Sequence, residues 1–247
     1  MIKVERKDNV AIVTLDRANR RNALGSAMVE ELEHWFAELD RDASVGAIVL
    51  TGAQPSFCAG SDLKELGTMN PAEMAEHEAV TAAVARKINF IDTPVVAAVE
   101  GNAIGGGFIL ACSCDLIVTS AAARWNLAEV PNGWLPPWGL QALLSRVGPV
   151  VAKRLTFGYE LLSGNDVFRL GLADYLVDEG KSLDEATRIA SLIADMPQPA
   201  VTSTKQFFAP FVAGTSEALD VSANRIFIEN CRHDRAQSTL ARFGGKA

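Results

Sequence analysis

The residues best suited to chemistry in this sequence are two glycine-bearing loops and one glutamate. Gly105, Gly106 and Gly107 follow an apolar, β-branched run, and Gly60 lies in a second loop between an apolar run and a helical pattern. Strand-to-helix turns of this kind leave backbone amides free at the helix N-terminus, where they stabilise negative charge. Glu129 is the carboxylate that follows the next apolar run. These residues predict a site that binds an anionic group beside a carboxylate.

The glycine run also admits a structural interpretation, in which it forms a tight turn that packs a helix closely against a strand. Its spacing differs from the G-x-G-x-x-G dinucleotide motif, and no Gly-Lys-Ser or Gly-Lys-Thr follows it as in a P-loop. The sequence also lacks the G-x-S-x-G elbow of a serine nucleophile. Nucleotide-phosphate binding through these motifs and a Ser-His-Asp mechanism are therefore not expected.

Alternating strand and helix patterns position these loops. The predicted elements are, in order, a hairpin over 2–15, a helix capped at Ser26, a strand at 45–52, a helix over 71–91 and strands at 95–99 and 115–119. This alternation predicts βαβ units with a parallel sheet, and loops at the carboxyl ends of such strands lie at one edge. The two glycine loops are therefore expected to be neighbours. Beyond residue 139, helices are predicted over 139–157, 164–170, 183–195, 199–210 and 214–243, with a short strand at 175–177.

Composition and charge disfavour several classes of protein. The net charge of −7 gives no general attraction to nucleic acid, and Arg17, Arg20 and Arg21 form the one candidate basic patch. No apolar run is long enough to cross a bilayer, and the first residues lack the apolar core of a signal peptide. A cytoplasmic location without a membrane partner is expected. The four cysteines lack metal-type spacing, so they are predicted to be buried free thiols and no metal site is expected.

The glycine run belongs to a longer segment, 94–107, which reads Pro-Val-Val-Ala-Ala-Val-Glu-Gly-Asn-Ala-Ile-Gly-Gly-Gly and is followed by Cys114-Asp115. Other notable segments are Leu15-Asp16-Arg17, Arg21-Asn22-Ala23-Leu24, the run 57–65 and Leu170-Gly171-Leu172-Ala173-Asp174. In content and order, these segments resemble the signature of the crotonase superfamily, the enoyl-CoA hydratase/isomerase family. The resemblance covers essentially the whole chain.

The resemblance implies an α/β crotonase (ClpP/crotonase-like) fold of repeated ββα units with a helical C-terminal region. It implies a core at residues 1–195 that carries the acyl-CoA site, and a helical region at 196–247 for trimerisation or for a lid. The implied assembly is a homotrimer or a dimer of trimers, which is a hexamer. The implied ligand is an acyl-CoA thioester of fatty acid metabolism. Coenzyme A enters as part of this substrate, with no separate cofactor.

For the site, the resemblance implies an oxyanion hole formed by the backbone amides of Ser61 and Gly106, with Glu129 as the catalytic acid/base. The implied substrate-binding residues are Ser61, Asp62, Leu63, Lys64, Gly105, Gly106, Trp134 and Arg21. Burial among apolar residues is expected to raise the pKa of Glu129 toward the working range of a general base. The alternatives are a surface or capping role for Glu129, helix capping by Asp62, which is favoured over catalysis, and solvated charges at Lys64 and the arginine cluster.

The chain departs from the family pattern at two places. Ile109 stands where two-glutamate hydratases carry their other glutamate, and an isoleucine side chain cannot transfer protons. Trp134 and Trp138, with a Pro-Pro pair between them, stand where Pro-Gly-x-Gly-Gly is common. The tryptophans predict either a reshaped acyl pocket or two packing residues. None of the three histidines matches a family catalytic position, although His77 is expected near the acyl pocket.

The resemblance therefore implies an enoyl-CoA hydratase or isomerase that stabilises a thioester enolate with two amides and one glutamate. The first alternative is an acyl-CoA hydrolase, decarboxylase or C–C lyase, because the fold fixes the enolate and not the later step. The second alternative is a non-catalytic RNA-binding or scaffolding member, which the net charge of −7 opposes. The acyl group and the choice between hydration and isomerisation stay open.

Overall fold

The computed structural model describes residues 1–244 and shows two β-sheets surrounded by helices. The strands are β1 (Ile2–Lys7), β2 (Val10–Leu15), β3 (Ala47–Gly52), β4 (Ser56–Cys58), β5 (Val95–Val99), β6 (Asn102–Ile104), β7 (Leu116–Ser120), β8 (Arg124–Asn126), β9 (Leu162–Ser163) and β10 (Tyr175–Val177). The larger sheet has the strand order β1-β2-β3-β5-β7-β10, and the smaller has the order β4-β6-β8-β9. The strands β2, β3, β5, β7 and β10 are parallel, as predicted from the alternating pattern.

The helices follow the strands of the core and then dominate the C-terminal half. They are α1 (Ser26–Arg41), α2 (Leu63–Leu66), α3 (Pro71–Lys87), α4 (Gly106–Cys112), α5 (Glu129–Asn132), α6 (Leu140–Thr156), α7 (Gly164–Arg169), α8 (Ser182–Ala194), α9 (Gln198–Ala213), α10 (Ser216–Asn230) and α11 (Asp234–Gly244). The mixed α/β architecture with a helical C-terminal region is confirmed. Among residues 1–244, no helix combines the length and the apolar character needed to cross a membrane.

Successive strand pairs divide their members between the two sheets. In β3-β4, β5-β6 and β7-β8, the first strand joins the larger sheet and the second joins the smaller one, before a helix follows. The strands β3 and β5 are buried on both faces, because α8 covers one face of the sheet and the other face packs into the main core, where β4 contacts both strands. This explains their continuous apolar sequences. The repeat also carries the loops after β4 and β6 to one edge of the smaller sheet, where the site lies.

Two local predictions are wrong. Ser26 is not an N-cap: α1 begins at Ser26 itself, and Glu65 of α2 accepts hydrogen bonds from both the amide and the hydroxyl of Ser26. A carboxylate from another element thus occupies the capping role at this helix N-terminus. The helix predicted over 214–243 is two helices separated by a turn at 231–233. The break lets α11 fold back onto α2 and α5, where Leu240 is buried.

Other local predictions are confirmed. Asn70 caps α3 in a reciprocal capping box with Glu73, and Pro71 occupies the first helical turn. The four cysteines, Cys58, Cys112, Cys114 and Cys231, are buried free thiols. The predicted boundary between 195 and 196 falls between α8 and α9. The division into a core and a C-terminal region remains a prediction, and residues 245–247 of that region lie outside the described residues.

Asn22 ties together the loops that lead to the site. Its buried amide nitrogen donates to the carbonyls of Ala53 and Ser56, both at 2.7 Å, and its Oδ1 accepts the Arg17 amide at 2.9 Å. Its φ of 56° is also unfavourable for residues with larger apolar side chains.

We expect Asn22→Ala to lower the free energy of unfolding by about 2–4 kcal/mol, because it strands buried carbonyls and keeps a left-handed backbone. Urea denaturation followed by tryptophan fluorescence measures this loss. The control is Asn19→Ala at an exposed position in the same loop, for which a change within about 0.5 kcal/mol is expected. Equal stabilities of the two variants would contradict the assignment.

Candidate active site

A cavity of about 610 Å³ opens where the two glycine loops meet. Its walls come from the loops after β4 and β6, from α3 and α5, and from C-terminal helices through Phe227 and Phe243. The volume lies in the range of small-molecule sites. Every residue predicted for the site lines this cavity: Arg21, Ser61, Asp62, Leu63, Lys64, Gly105, Gly106, Glu129 and Trp134. The sequence therefore identified one connected surface.

The two glycine loops lie against each other, as predicted. A Cβ built on Gly60, whose φ is +84°, would lie 2.9 Å from the Gly106 amide nitrogen, and one built on Gly106 would lie 3.5 Å from the Ser61 nitrogen. Gly106 opens α4, so its amide lies ahead of the intrahelical hydrogen-bond ladder. The short bridge between Leu24 and Ser61 uses the amides of Leu24 and Asp62 and leaves the Ser61 amide out. Two amides thus lie side by side at the cavity.

Gly107 has the structural role that the glycine run also admitted. A Cβ on this residue would collide with the Cys58 carbonyl oxygen, because α4 packs directly on β4. Gly105 has a φ of +55°, which forms the turn into α4. The two interpretations of the run are therefore compatible, since each glycine meets a different constraint.

Asp62 is held by structural contacts. Its Oδ1 accepts the Lys64 amide at 3.0 Å and caps α2, and its Oδ2 pairs with Arg17 at 2.7 Å. Both carboxylate oxygens are thus engaged, which agrees with the favoured capping role. Arg17 is occupied by this ion pair, whereas Arg20 and Arg21 line the cavity together with Lys64. These three side chains are the cationic groups of the cavity wall.

Glu129 is a buried carboxyl that faces the glycine run. It is 8 % exposed, its Oε2 is buried without a hydrogen-bond partner among residues 1–244, and its Oε1 would lie 2.8 Å from a Cβ on Gly105. Burial raises the pKa of Glu129 to about 7. The charge of Glu78 also raises this pKa, whereas a hydrogen bond from the backbone amide of Glu129 lowers it. A carboxyl with a pKa near neutrality both accepts and donates protons under physiological conditions.

Glu78 is a residue of this cavity that the sequence reasoning missed. It lies on α3, is 1 % exposed, and its Oε2 accepts the Trp138 indole N–H at 2.7 Å. Burial raises the pKa of Glu78, whereas His77, Ser61 and Trp138 act in the opposite direction. The sequence offered one signal for the position of Glu78. It follows Met74 by four residues, so the two side chains lie on the same face of α3, and Met74 is buried. The adjacent His77 contacts Ser26 at 3.2 Å instead of lining the cavity.

One part of the cavity wall is apolar. Ile109 is buried against Gly139, where any Cβ would collide with its side chain. Trp134 packs edge-on against Phe227 with 6.0 Å between ring centroids, and Trp138 lies near Gly106. Both tryptophans are buried and both line the cavity, so they act as packing residues and as pocket walls.

The fold places the protein in a known structural class. It aligns with an enoyl-CoA hydratase/isomerase from Mycobacterium paratuberculosis at a TM-score of 0.89 and 24% identity, over 98% of this chain and 97% of that chain. An enoyl-CoA hydratase from Bacillus anthracis aligns at a TM-score of 0.82 and 27% identity, over 98% of this chain and 95% of that chain. The ββα core with its C-terminal helices is therefore a crotonase fold, as the sequence resemblance implied.

Sequence comparison gives the family. The family model described as enoyl-CoA hydratase/isomerase matches residues 5–246. The short-chain-enoyl-CoA hydratase of Clostridium acetobutylicum is 36% identical over 205 residues, which are 82% of this chain and 78% of that protein. The crotonyl-CoA hydratase of Syntrophomonas wolfei is 32% identical over 206 residues, 83% of this chain and 79% of that protein. The chain belongs to the enoyl-CoA hydratase/isomerase family.

The buried carboxyl of Glu129 links folding to pH. Its pKa is 4.5 in an unperturbed chain and about 7 in the fold, so between these values the folded protein binds more protons than the unfolded one. The free energy of unfolding therefore falls as the pH rises through this window.

In Glu129→Gln this contribution is absent, and we expect the variant to gain stability relative to the wild type by roughly 3 kcal/mol between pH 4.5 and about 8. Urea denaturation across that range measures the difference. Glu76→Gln, at an exposed position of α3, is expected to follow the wild-type pH dependence. Parallel curves for all three proteins would show that Glu129 titrates normally.

Proposed function

We propose that this protein is an enoyl-CoA hydratase that adds water to a short-chain 2-enoyl-CoA thioester. The observation that carries the proposal is the unpartnered, buried Oε2 of Glu129 beside the two side-by-side loop amides. The relatives named as short-chain-enoyl-CoA and crotonyl-CoA hydratases support the choice of reaction and of a short acyl chain. The apolar wall of Ile109, Trp134 and Trp138 supports an acyl group without charge.

In this proposal, the amides of Ser61 and Gly106 bind the thioester oxygen. When water adds to the β-carbon, the electron pair of the double bond moves onto that oxygen as an enolate. Amides that are already oriented stabilise the new charge without reorganisation, and each such donor accounts for ~10²–10³ in rate. The closeness of the Gly60 and Gly106 backbones supports this arrangement, because any side chain at Gly60 would separate the loops.

Glu129 is proposed as the acid/base at the α-carbon. In its protonated form it gives a proton to the enolate, and in its ionised form it removes one in the reverse direction. Its pKa of about 7 supports both roles, since neither form is rare near neutral pH. The apolar surroundings that raise this pKa also exclude water molecules that would compete for the enolate.

Coenzyme A is expected to lie along the wall of Ser61, Asp62, Leu63 and Lys64, as part of the substrate. Arg20, Arg21 and Lys64 are the cations of this wall, and they are proposed to pair with its phosphates. The overall charge of −7 makes this local cluster distinctive. A location in the cytoplasm remains a prediction from the sequence.

Double-bond isomerisation is the second candidate. Ile109 favours it, because shuttling one proton between two carbons needs a single base and no activated water. Hydrolase, decarboxylase and C–C lyase activities remain alternatives on this fold. Turnover in the assay below would exclude the RNA-binding or scaffolding alternative as the sole role of the chain.

With crotonyl-CoA, we expect the wild type to form a product heavier by one water, and Glu129→Gln to lower kcat/KM by about 10²–10⁴-fold. Liquid chromatography with mass spectrometry follows both. Glu76→Gln is the matched control and should keep full activity. If a 3-enoyl-CoA gives a product of unchanged mass with a moved double bond, the isomerase is favoured. If Glu129→Gln keeps full activity, Glu129 is excluded as the acid/base.

We also propose that the chain forms a homotrimer or a dimer of trimers. The helix α9 exposes three aromatic rings that contact one another, Phe207, Phe208 and Phe211, at 67%, 56% and 69% exposure. An exposed aromatic cluster of this kind is unusual on a monomer and supports self-association. The second copy is therefore the proposed occupant of this surface.

Light scattering after size exclusion is expected to give a mass three or six times that of the 26.4 kDa chain. The double variant Phe207→Glu/Phe211→Glu is expected to reduce this mass, because burying two carboxylates in an apolar interface is costly. A wild-type mass equal to that of one chain would contradict the proposal, as would a variant that assembles normally.

A further inference from the structure

We propose that Glu78 is a second catalytic carboxyl of this site, which takes the proton of the attacking water while Glu129 protonates the α-carbon. The inference rests on the hydration reaction proposed above and deepens it. The helix α3 would thereby supply the group that the chain lacks at Ile109. The second carboxyl would come from a different element.

The partners of the buried carboxyls single out two of them. Five acidic side chains are buried in residues 1–244: Asp62, Glu78, Glu100, Glu129 and Asp220. Asp62 and Asp220 each pair with an arginine, and Glu100 accepts the backbone amide that opens α8. Glu78 and Glu129 have neither kind of partner within the described chain, and both line the cavity. Neither an arginine nor the backbone amide of another residue therefore holds these two carboxyls, and both are open to groups inside the cavity.

The glycine run places the two carboxyls around one reaction volume. The Glu129 carboxyl contacts Gly105, with Oε1 2.8 Å from the Cβ position of that residue. The Trp138 ring contacts the next residue, Gly106, with Cζ2 3.0 Å from its Cβ position, and the same ring donates to Glu78. Glu129 thus lies beside Gly105, and Trp138, which holds Glu78, lies beside Gly106. A thioester bound at the Gly106 amide would share its cavity with both carboxyls.

Several titratable groups surround the two carboxyls and act on their pKa values. The titratable neighbours of Glu78 are His77 on its own helix, Glu129 from α5 and Cys231 after α10. Burial raises the pKa of Glu78, and His77, Ser61 and Trp138 act against this rise. Burial also raises the pKa of Glu129, and the charge of Glu78 adds to that rise. Burial and the same charge raise the pKa of Cys231 to about 12, so its thiol stays neutral. Addition of water in the proposed direction requires Glu78 in its ionised form and Glu129 in its protonated form.

This protonation state balances the addition of water. The water oxygen bonds to the β-carbon, and its proton passes to the Glu78 carboxylate. The π electrons move to the thioester oxygen, and the enolate then takes the Glu129 proton at the α-carbon. One water is added and no group is oxidised or reduced. Transfer of a proton from Glu78 to Glu129 through solvent restores the starting state. Indole donation from Trp138 holds the Glu78 carboxyl in place throughout.

The test separates water activation from enolate formation. Glu78→Gln keeps an oxygen that accepts the Trp138 N–H but cannot take a proton. We expect it to lower kcat/KM for hydration of crotonyl-CoA by at least about 10²-fold. Exchange of α-hydrogens of butyryl-CoA with deuterium oxide needs only Glu129 and the amides, so it is expected to stay within about threefold of the wild type. Glu76→Gln, exposed on the same helix, should leave both reactions unchanged.

The pH dependence of the α-hydrogen exchange is a second readout. It would not change if Glu78 only packed against its neighbours. Exchange needs ionised Glu129, so its rate rises with pH through the pKa of about 7. Without the Glu78 charge this pKa falls, and the midpoint in Glu78→Gln is expected at a lower pH than in the wild type. Glu78→Asp keeps an acidic group and is expected to recover part of the hydration rate.

Each other outcome has a distinct meaning. Normal hydration by Glu78→Gln would overturn the role of Glu78 and leave the proposed hydratase intact. Loss of both hydration and exchange would also overturn it, because Glu78 would then act on the enolate site as a whole. Failure of the wild type itself to hydrate crotonyl-CoA and longer 2-enoyl-CoA thioesters, with exchange intact, would overturn the proposed function and this inference together.

Discussion

The close approach of two backbones is the constraint on which the site depends. Gly60 and Gly106 meet without side chains between them, and this places the Ser61 and Gly106 amides at one point of the cavity. The β4 and β6 strands deliver the two loops to adjacent positions because they pair in parallel. Asn22 and Asp62 fix the loop that carries Ser61, through hydrogen bonds to neighbouring carbonyls and through capping of α2. Small changes in this geometry would separate the amides.

The same packing sets the charge state of the acids. A carboxyl is expensive to ionise in a dry cavity, and the apolar walls around Glu129 and Glu78 supply that environment. Other acids of the core pair with an arginine or accept a backbone amide, so their contacts are structural. The difference between a structural and a reactive carboxyl here is the partner, since both kinds are buried.

The C-terminal helices complete the cavity. The α10–α11 turn at 231–233 reverses the chain, and α11 then packs on α2 and α5. The backbone of α11 also lies close to two glycines of the neighbouring segments. A Cβ on Gly67 would lie 2.7 Å from the Gly244 Cα, and one on Gly133 would lie 2.8 Å from the Ala236 nitrogen. The Thr239 hydroxyl donates to the Asn132 carbonyl at the end of α5. The helix that carries Glu129 is thus held between the core and the last helix.

Periodicity and glycine placement in the sequence determined the buried parallel strands and both glycine loops, because these follow from contacts close in the chain. Family resemblance added the expected roles of Ser61, Gly106 and Glu129. Only the tertiary structure decided the rest, where contacts join distant residues. The N-terminus of α1 is capped by Glu65, which lies 39 residues after Ser26 in the sequence. The Trp138 indole donates to Glu78, which lies 60 residues before it. Helical spacing could place Glu78 on a buried face, but the burial that raises its pKa and its contact with Trp138 depend on how α3 packs against the rest of the chain.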